Sequence, residues 1–215
     1  EPLLTSAMKS VGEVMAIGGT FQERLQKALR SMENGLTGLD ELLTHKTGIR
    51  AHLKKATPNR LRAIADAFRQ DIPLAEIHEI THYDPWFLAQ IEDLIAEEKR
   101  VMEQGVLSDA DALRRLKQKG FSDARLAKLS GKTEKDIREL RAKKNVHPVY
   151  KRVDTCAAEF ESATPYMYST YHGTECEAAP SNKKKGMILG SGPNRIGQGV
   201  EFDYACVHAA YAMRE

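Results

Sequence analysis

Little in this chain narrows its function at once. Its 215 residues include three cysteines and one tryptophan, and 32 basic residues nearly cancel 30 acidic ones. Cys156, Cys176 and Cys206 are odd in number, widely spaced and without a C-x-x-C pair. That argues against a disulfide framework or a structural zinc and for a reducing cytoplasm, with the thiols expected free and buried. No window approaches the ~18 uninterrupted apolar residues of a membrane span, so no membrane partner is expected. The opening EPLLTSAMKSVGEV lacks a basic head followed by an apolar run, so no secretory leader is expected. The near-zero net charge selects no nucleic acid or anionic surface. Internal repeats are absent from the sequence.

What is present is helical periodicity with its punctuation. Residues 9–19 read as a strand and turn. Thr20 and Glu23 form a T-x-x-E capping box, and Phe21, Leu25, Ala28, Leu29 and Met32 follow at helical spacing towards Gly35. Thr57-Pro58 opens a helix carrying Leu61, Ile64 and Phe68, and Pro73 starts a short one. Asp84-Pro85 begins the longest, striped by Phe87, Ile91, Leu94, Glu98 and Val101 and stopped near Gly105. Three short helices follow, with Ser108, Ser122 and Thr133 as caps and Gly120 and Gly131 between them. After Lys144 the character changes: VHPVYKRVDTCAAEF, from Val146, reads as extended, and residues 161–186 read as a polar linker wrapped over a surface. MILGSG, from Met187, then reads as a strand entering a glycine-rich loop.

Three motifs suggest chemistry. HEITH, His78 to His82, matches the H-E-x-x-H zinc pattern, in which Glu79 would be the base. Asp84-Pro85 opens a new helix directly after it, however, so a surface histidine pair is the reading preferred here. Residues 122–144 have the outline of a helix-turn-helix. Lys135, Arg138, Arg141 and Lys144 would lie along one stripe, within a segment, Arg114 to Arg152, holding fourteen basic and four acidic residues. A nucleic-acid-binding module is therefore the alternative function, although basic runs are commonly solvated faces. Gly190 and Gly192 begin a dinucleotide-type loop, but Arg195 stands where the third glycine belongs.

Five blocks in order, KSVGEVMAIGGTFQERLQKAL, YDPWFLAQIEDL, KGFSDARLAKL, HPVYKRVDTCAAEF and LGSGPNRIGQGVEFDY, closely resemble the large chain of carbamoyl phosphate synthetase. The resemblance spans essentially all residues. It implies a mainly α fold, a helical oligomerisation domain with short α/β segments cut from two neighbouring domains. Residues 1–33 would be the tail of the first ATP-using domain. Residues 34–177 would be the oligomerisation domain with an extended linker, and residues 178–215 the first strand, loop and helix of the second ATP-using domain.

The resemblance further implies a parent ligase that makes carbamoyl phosphate from bicarbonate, glutamine-derived ammonia and two ATP, for arginine and pyrimidine synthesis. ATP, Mg (or Mn) and K would serve that parent, with a glutaminase small chain as partner and self-association through the helices. No catalytic, cofactor or metal residue carries over to this chain, which is expected to be inactive alone. Glu13, Gly199 and Glu201 match positions thought to line the parent's carbamate passage. The plainer alternative is that Gly199 shapes a turn and Glu201 caps the helix after it. The family pattern places an arginine after MAIG, where Gly19 stands here. Trp86, Phe87 and Phe121 are expected in the core, and any uncovered part of the Ile91–Val101 stripe is expected to meet a partner.

Overall fold

In the computed structural model, residues 3–7, 9–10, 12–42, 48–106, 109–190, 194–195 and 204–215 are described, the pair 194–195 by backbone alone. The fold is mainly helical. A two-residue strand β1 (Gly12–Glu13) precedes α1 (Phe21–Ser31), then α2 (Ile49–Lys54), α3 (Arg60–Arg69), α4 (Leu74–Thr81) and α5 (Pro85–Gln104). Helices α6 (Ala110–Gln118), α7 (Asp123–Ser130) and α8 (Glu134–Lys143) complete the helical body. Strands β2 (Val149–Arg152) and β3 (Met167–Thr170) form an antiparallel hairpin, Val149 opposite Thr170, and β4 (Asn194–Arg195) and α9 (Tyr204–Ala212) end the chain.

The helix starts follow capping chemistry. Asp84, Ser122 and Thr133 each accept a backbone N–H of the first turn, satisfying donors that a helix cannot pair internally. At α8 the box is complete, with Asp136 reaching back to the Thr133 N–H. At α1 it is shifted by one residue: Thr20 accepts from the Glu23 N–H, but the Glu23 carboxylate accepts from Gly19 at 2.7 Å. Helix α6 is capped by Asp109, while Ser108, the residue expected there, lies outside the described residues. Helix α1 stops at Ser31, before Gly35, with Glu33 in the left-handed region.

Helix α5 is the central element, contacting α1, α3, α4 and α7. Its Leu88, Ile91, Leu94, Ile95 and Val101 are buried with Ile64, Phe68, Ile77, Leu113, Leu126 and Ile137, and each such side chain contributes about 1.5–3 kcal/mol. The Ile91–Val101 stripe is therefore covered within the chain, which leaves no uncovered part of it to meet a partner.

Two further expectations are corrected. Phe121 is in the core, but Trp86 is 54% and Phe87 44% exposed. Both sit in the first turn of α5, where they pack edge-to-face on Phe21 and on each other, with centroids 5.0–5.5 Å apart. Helix α1 buries Gln22, Glu23 and Gln26 beside Leu29, rather than its whole apolar stripe, and Met32 is exposed. The polar face turns inward because it meets a helix end. Gln26 Nε2 donates to the Lys119 carbonyl (3.0 Å) and Arg30 Nη1 to the Gly120 carbonyl (2.7 Å), acceptors left over where α6 ends.

Gly120 makes that contact possible. Its φ is +89°, and a Cβ there would lie 2.9 Å from Glu23 Cα and 3.1 Å from Gln26 Cβ. Gly120→Ala is expected to lower stability by roughly 1–3 kcal/mol, read as a fall in the urea midpoint; an unchanged midpoint would mean that α1 does not pack on this turn.

The expected strand at Met187–Gly190 is not formed, and Met187 and Leu189 are exposed. A strand needs neighbours for its backbone groups, and none adjoins this one among the described residues. None of the described cysteines is in a disulfide, but they are exposed or half-exposed rather than buried. Among the described residues no helix is long and apolar enough to cross a membrane.

Candidate functional surface

The loop that carries Gly192, Gly197, Gly199 and Glu201 lies outside the described residues. Glu13 is described: it is exposed on β1, opposite Asn194 of β4, with Gly12 opposite Arg195. This pairing brings residues 12–13 and 194–195 together.

The HEITH histidines part at the helix end. His82 is the C-cap of α4 in the left-handed region, while His78 Nδ1 is 2.7 Å from the Tyr83 carbonyl. Among the described residues no group of three His, Cys, Asp or Glu side chains is placed to hold a metal.

The basic stripe of α8 is largely neutralised. Arg141 is mostly buried and grips Asp123 with two nitrogens at 2.6–3.0 Å. Arg138 pairs with Glu134 and Lys135 with Glu139 along the helix surface. Arg141 thus spends its charge inside the fold, Arg138 and Lys135 pair at the surface, and nothing here supports the nucleic-acid alternative.

Under this surface lies a charged core that periodicity does not reveal. Arg125, 0% exposed, binds Glu98 (2.8 Å, 1% exposed), Asp40 (3.3 Å) and Glu41 (3.0 Å). Arg69 approaches Glu98 from the other side at 2.6 Å, binds Asp66 at 2.6 Å, and also reaches the Leu39 carbonyl. The network ties the irregular segment 37–42 to α3, α5 and α7. A second buried group joins Lys117 to Asp123 (2.8 Å) and the Phe121 carbonyl (2.6 Å), with the Tyr171 ring facing both Lys117 and Arg141. Burial pushes the Lys117 ammonium down to about 8 and the Tyr171 hydroxyl up.

Burial alone would raise the carboxyls of Asp40, Glu41 and Asp123, but bonds from Lys128, Arg125 and Arg141 respectively outweigh it. All three are held low, Glu41 at about 2. Between about pH 4.5 and 2 the unfolded chain binds protons that the folded chain refuses. Stability is therefore expected to be fully present above about pH 4.5 and to fall as pH drops through that window. Urea midpoints at pH 3 and pH 6 check this, and equal midpoints would contradict it.

The hairpin closes over α1. Lys27 Nζ donates to the Ile17 carbonyl (2.8 Å) and the Ser169 carbonyl (2.5 Å), and pairs with Glu23 at 2.8 Å. His172 Nε2 bonds the Gln118 carbonyl (3.0 Å), and Gln118 Nε2 donates back to the Tyr171 carbonyl (3.2 Å). Gly19 lines a groove of about 770 Å³ with Lys151, Tyr168, Thr170, His172 and Glu177. A Cβ on Gly19 would sit 3.2–3.6 Å from the His172 side chain, so the glycine leaves room for that ring. A side chain at this position would require that ring to shift by a few tenths of an ångström. Sequence reasoning singled out Gly19 as a departure; its partner lay in a segment read only as linker.

These elements define a class before a family: a helical body held by buried ion pairs, with the flanking segments brought back against it. A family model described as the carbamoyl-phosphate synthetase large chain, oligomerisation domain, matches residues 13–145, more than half of the chain. A second, the carbamoyl phosphate synthase preATP-grasp domain, matches residues 182–215. The chain belongs to the carbamoyl phosphate synthase large-chain family, as the five sequence blocks indicated. Among curated relatives, the carbamoyl phosphate synthase large chain of Neisseria meningitidis serogroup A is 63% identical over 214 residues, 99% of this chain and 20% of that protein. The large chain of N. meningitidis serogroup B is 62% identical over 214 residues, with the same coverage. That of Brucella melitensis biotype 1 is 55% identical over 224 residues, 99% of this chain and 19% of the relative. The chain thus spans about a fifth of the length of the curated relatives it matches.

Proposed function

We propose that residues 13–146 form an association and spacing scaffold within a carbamoyl phosphate synthase large chain. The observation that carries this reading is that the flanking segments meet each other and the helical body: β1 pairs with β4, and Lys27 of α1 binds both Ile17 and Ser169. A body arranged this way extends outward from the junction of its two neighbours. It is free to meet another copy without disturbing them. Its aromatic cluster, exposed Trp86 and Phe87 against half-buried Phe21, suits a contact between copies, because aromatic anchors are enriched at the centres of such interfaces.

In this reading the catalytic work belongs to the parent protein. That protein would use bicarbonate, ammonia released from glutamine by a small-chain partner, and two ATP with Mg (or Mn) and K, in the cytoplasm, for arginine and pyrimidine synthesis. Glu13, Gly199 and Glu201 would lie along the passage that carries carbamate between its two sites. There glycine leaves backbone room, and a carboxylate can order water or exchange protons. The 215-residue chain alone is expected to hydrolyse no ATP when given bicarbonate and ammonia.

Sedimentation across a concentration range tests the scaffold. The expected result is a mass that rises with concentration in the natural chain and stays monomeric in Trp86→Ser/Phe87→Ser, with the helical circular dichroism unchanged. A chain that remains monomeric at every concentration, or a variant that associates as before, would overturn the reading.

A further inference from the structure

The two flanks of the helical body share one cation. We infer that Lys27 is a coupler, making the entry segment 15–20 and the hairpin end 167–173 order and loosen together. The inference concerns movement within one chain and stands independently of association between copies.

Lys27 lies on α1 with its side chain mostly buried, and its ammonium is the meeting point of three segments. It holds the Ile17 carbonyl on the entry side and the Ser169 carbonyl on the hairpin side, while Glu23, 1% exposed, supplies the countercharge. No well-aligned hydrogen bond reaches Glu23 Oε1, so the Lys27 charge is what balances that oxygen. The other Glu23 oxygen accepts the Gly19 N–H at 2.7 Å, which ties the carboxylate to the entry segment as well. On the hairpin side, the Tyr168 ring faces the same ammonium with its centroid 5.7 Å away.

The consequence is energetic. If the hairpin end lifts, Lys27 loses the Ser169 carbonyl and the Tyr168 ring, and the Lys27–Glu23 pair becomes wetter. The pair then holds Ile17 and Gly19 less well. If the entry segment lifts, the same pair weakens towards the hairpin, since a coupling free energy acts equally in both directions. The glycine at position 19 fits this device. It lets the His172 ring lie against the entry segment, with its Nε2 3.0 Å from the Gln118 carbonyl and 3.7 Å from Glu23 Oε2.

Gln118 provides the lever for a test. Its side chain anchors the hairpin from α6 through the Tyr171 carbonyl and makes no contact of its own with Lys27. Hydrogen exchange of the 215-residue chain, followed by mass spectrometry at fixed pH, would compare the natural chain with Gln118→Ala, Lys27→Met and the double variant. Peptides from α5 report whether the body stays folded. Coupling predicts that Gln118→Ala speeds exchange about fivefold or more in 15–20 as well as in 167–173. It also predicts that Lys27→Met speeds both, and that adding Gln118→Ala to Lys27→Met changes 15–20 no further. Should Lys27→Met also speed exchange in α5, Gln118→Ala decides alone. Faster exchange in 167–173 with 15–20 unchanged in Gln118→Ala would overturn the inference, as would a Lys27→Met variant that loosens one segment and not the other.

Discussion

Arg125→Met is expected to cost about 3–5 kcal/mol, the largest loss from any single polar substitution in the body. Arg125 is entirely buried, and its removal leaves Glu98, itself 1% exposed, with Arg69 as its remaining cationic partner. Asp40 keeps Lys128, but it loses the guanidinium that joins it to α5 and α7. A domain with about 5–15 kcal/mol in total would lose a large share of its stability. The cause is the stranded charge rather than the absent attraction, so a second substitution separates the two. Pairing Arg125→Met with Glu98→Met removes the stranded charge, and the double variant is expected to be more stable than the sum of the single losses implies. Urea unfolding at pH 7 measures all three. Losses that simply add would mean that the two residues do not act as a pair.

This network was nearly invisible in the sequence, and the reason is physical. Glu98 stood in the apolar stripe of α5 as one position among hydrophobic ones, and Arg125 was one of fourteen basic residues in a run. Ion pairs between residues 27 and 85 positions apart leave no periodic trace. Local chemistry, by contrast, was readable. Asp84, Ser122 and Thr133 cap helices where expected, and α4 ends before His82 as the Asp84-Pro85 start required. Helix α2 went unread because it has six residues, opens at Gly48 with no side-chain cap, and lacks an acidic first turn. Strand β3 was hidden in a polar, tyrosine-dotted segment because its register is set by β2 and its depth by the Tyr171 and His172 anchors.

Leu94→Ala is expected to cost about 2–5 kcal/mol, whereas Trp86→Ala, on the same helix and with a far larger side chain, is expected to cost about 1 kcal/mol or less. Size alone predicts the opposite order. Leu94 is fully enclosed by the core around α5, so truncation leaves a cavity that the packed helices cannot close. Trp86 loses edge contacts with Phe21 and Phe87 but is already half in water. Their rank in urea midpoint is the test, and a tryptophan variant weaker than the leucine one would place the aromatic cluster inside the core. Aromatic residues at a helix start were read as core because volume and apolarity look the same in sequence whether a side chain faces inward or lies over the first turn. The outcome also matters for the scaffold, since a surface that costs little stability to change is free to serve association.

The central claim is that the helical body is a complete folding unit, with the hairpin and the chain ends held against it as dependents. Scanning calorimetry of residues 13–146, cut from the rest, tests it most directly. One reversible transition whose calorimetric and van't Hoff enthalpies agree is expected, because the Arg125 network and the α5 core both lie wholly within those residues. A broad or absent transition, in a piece that folds only when residues 147–215 are restored, would contradict it.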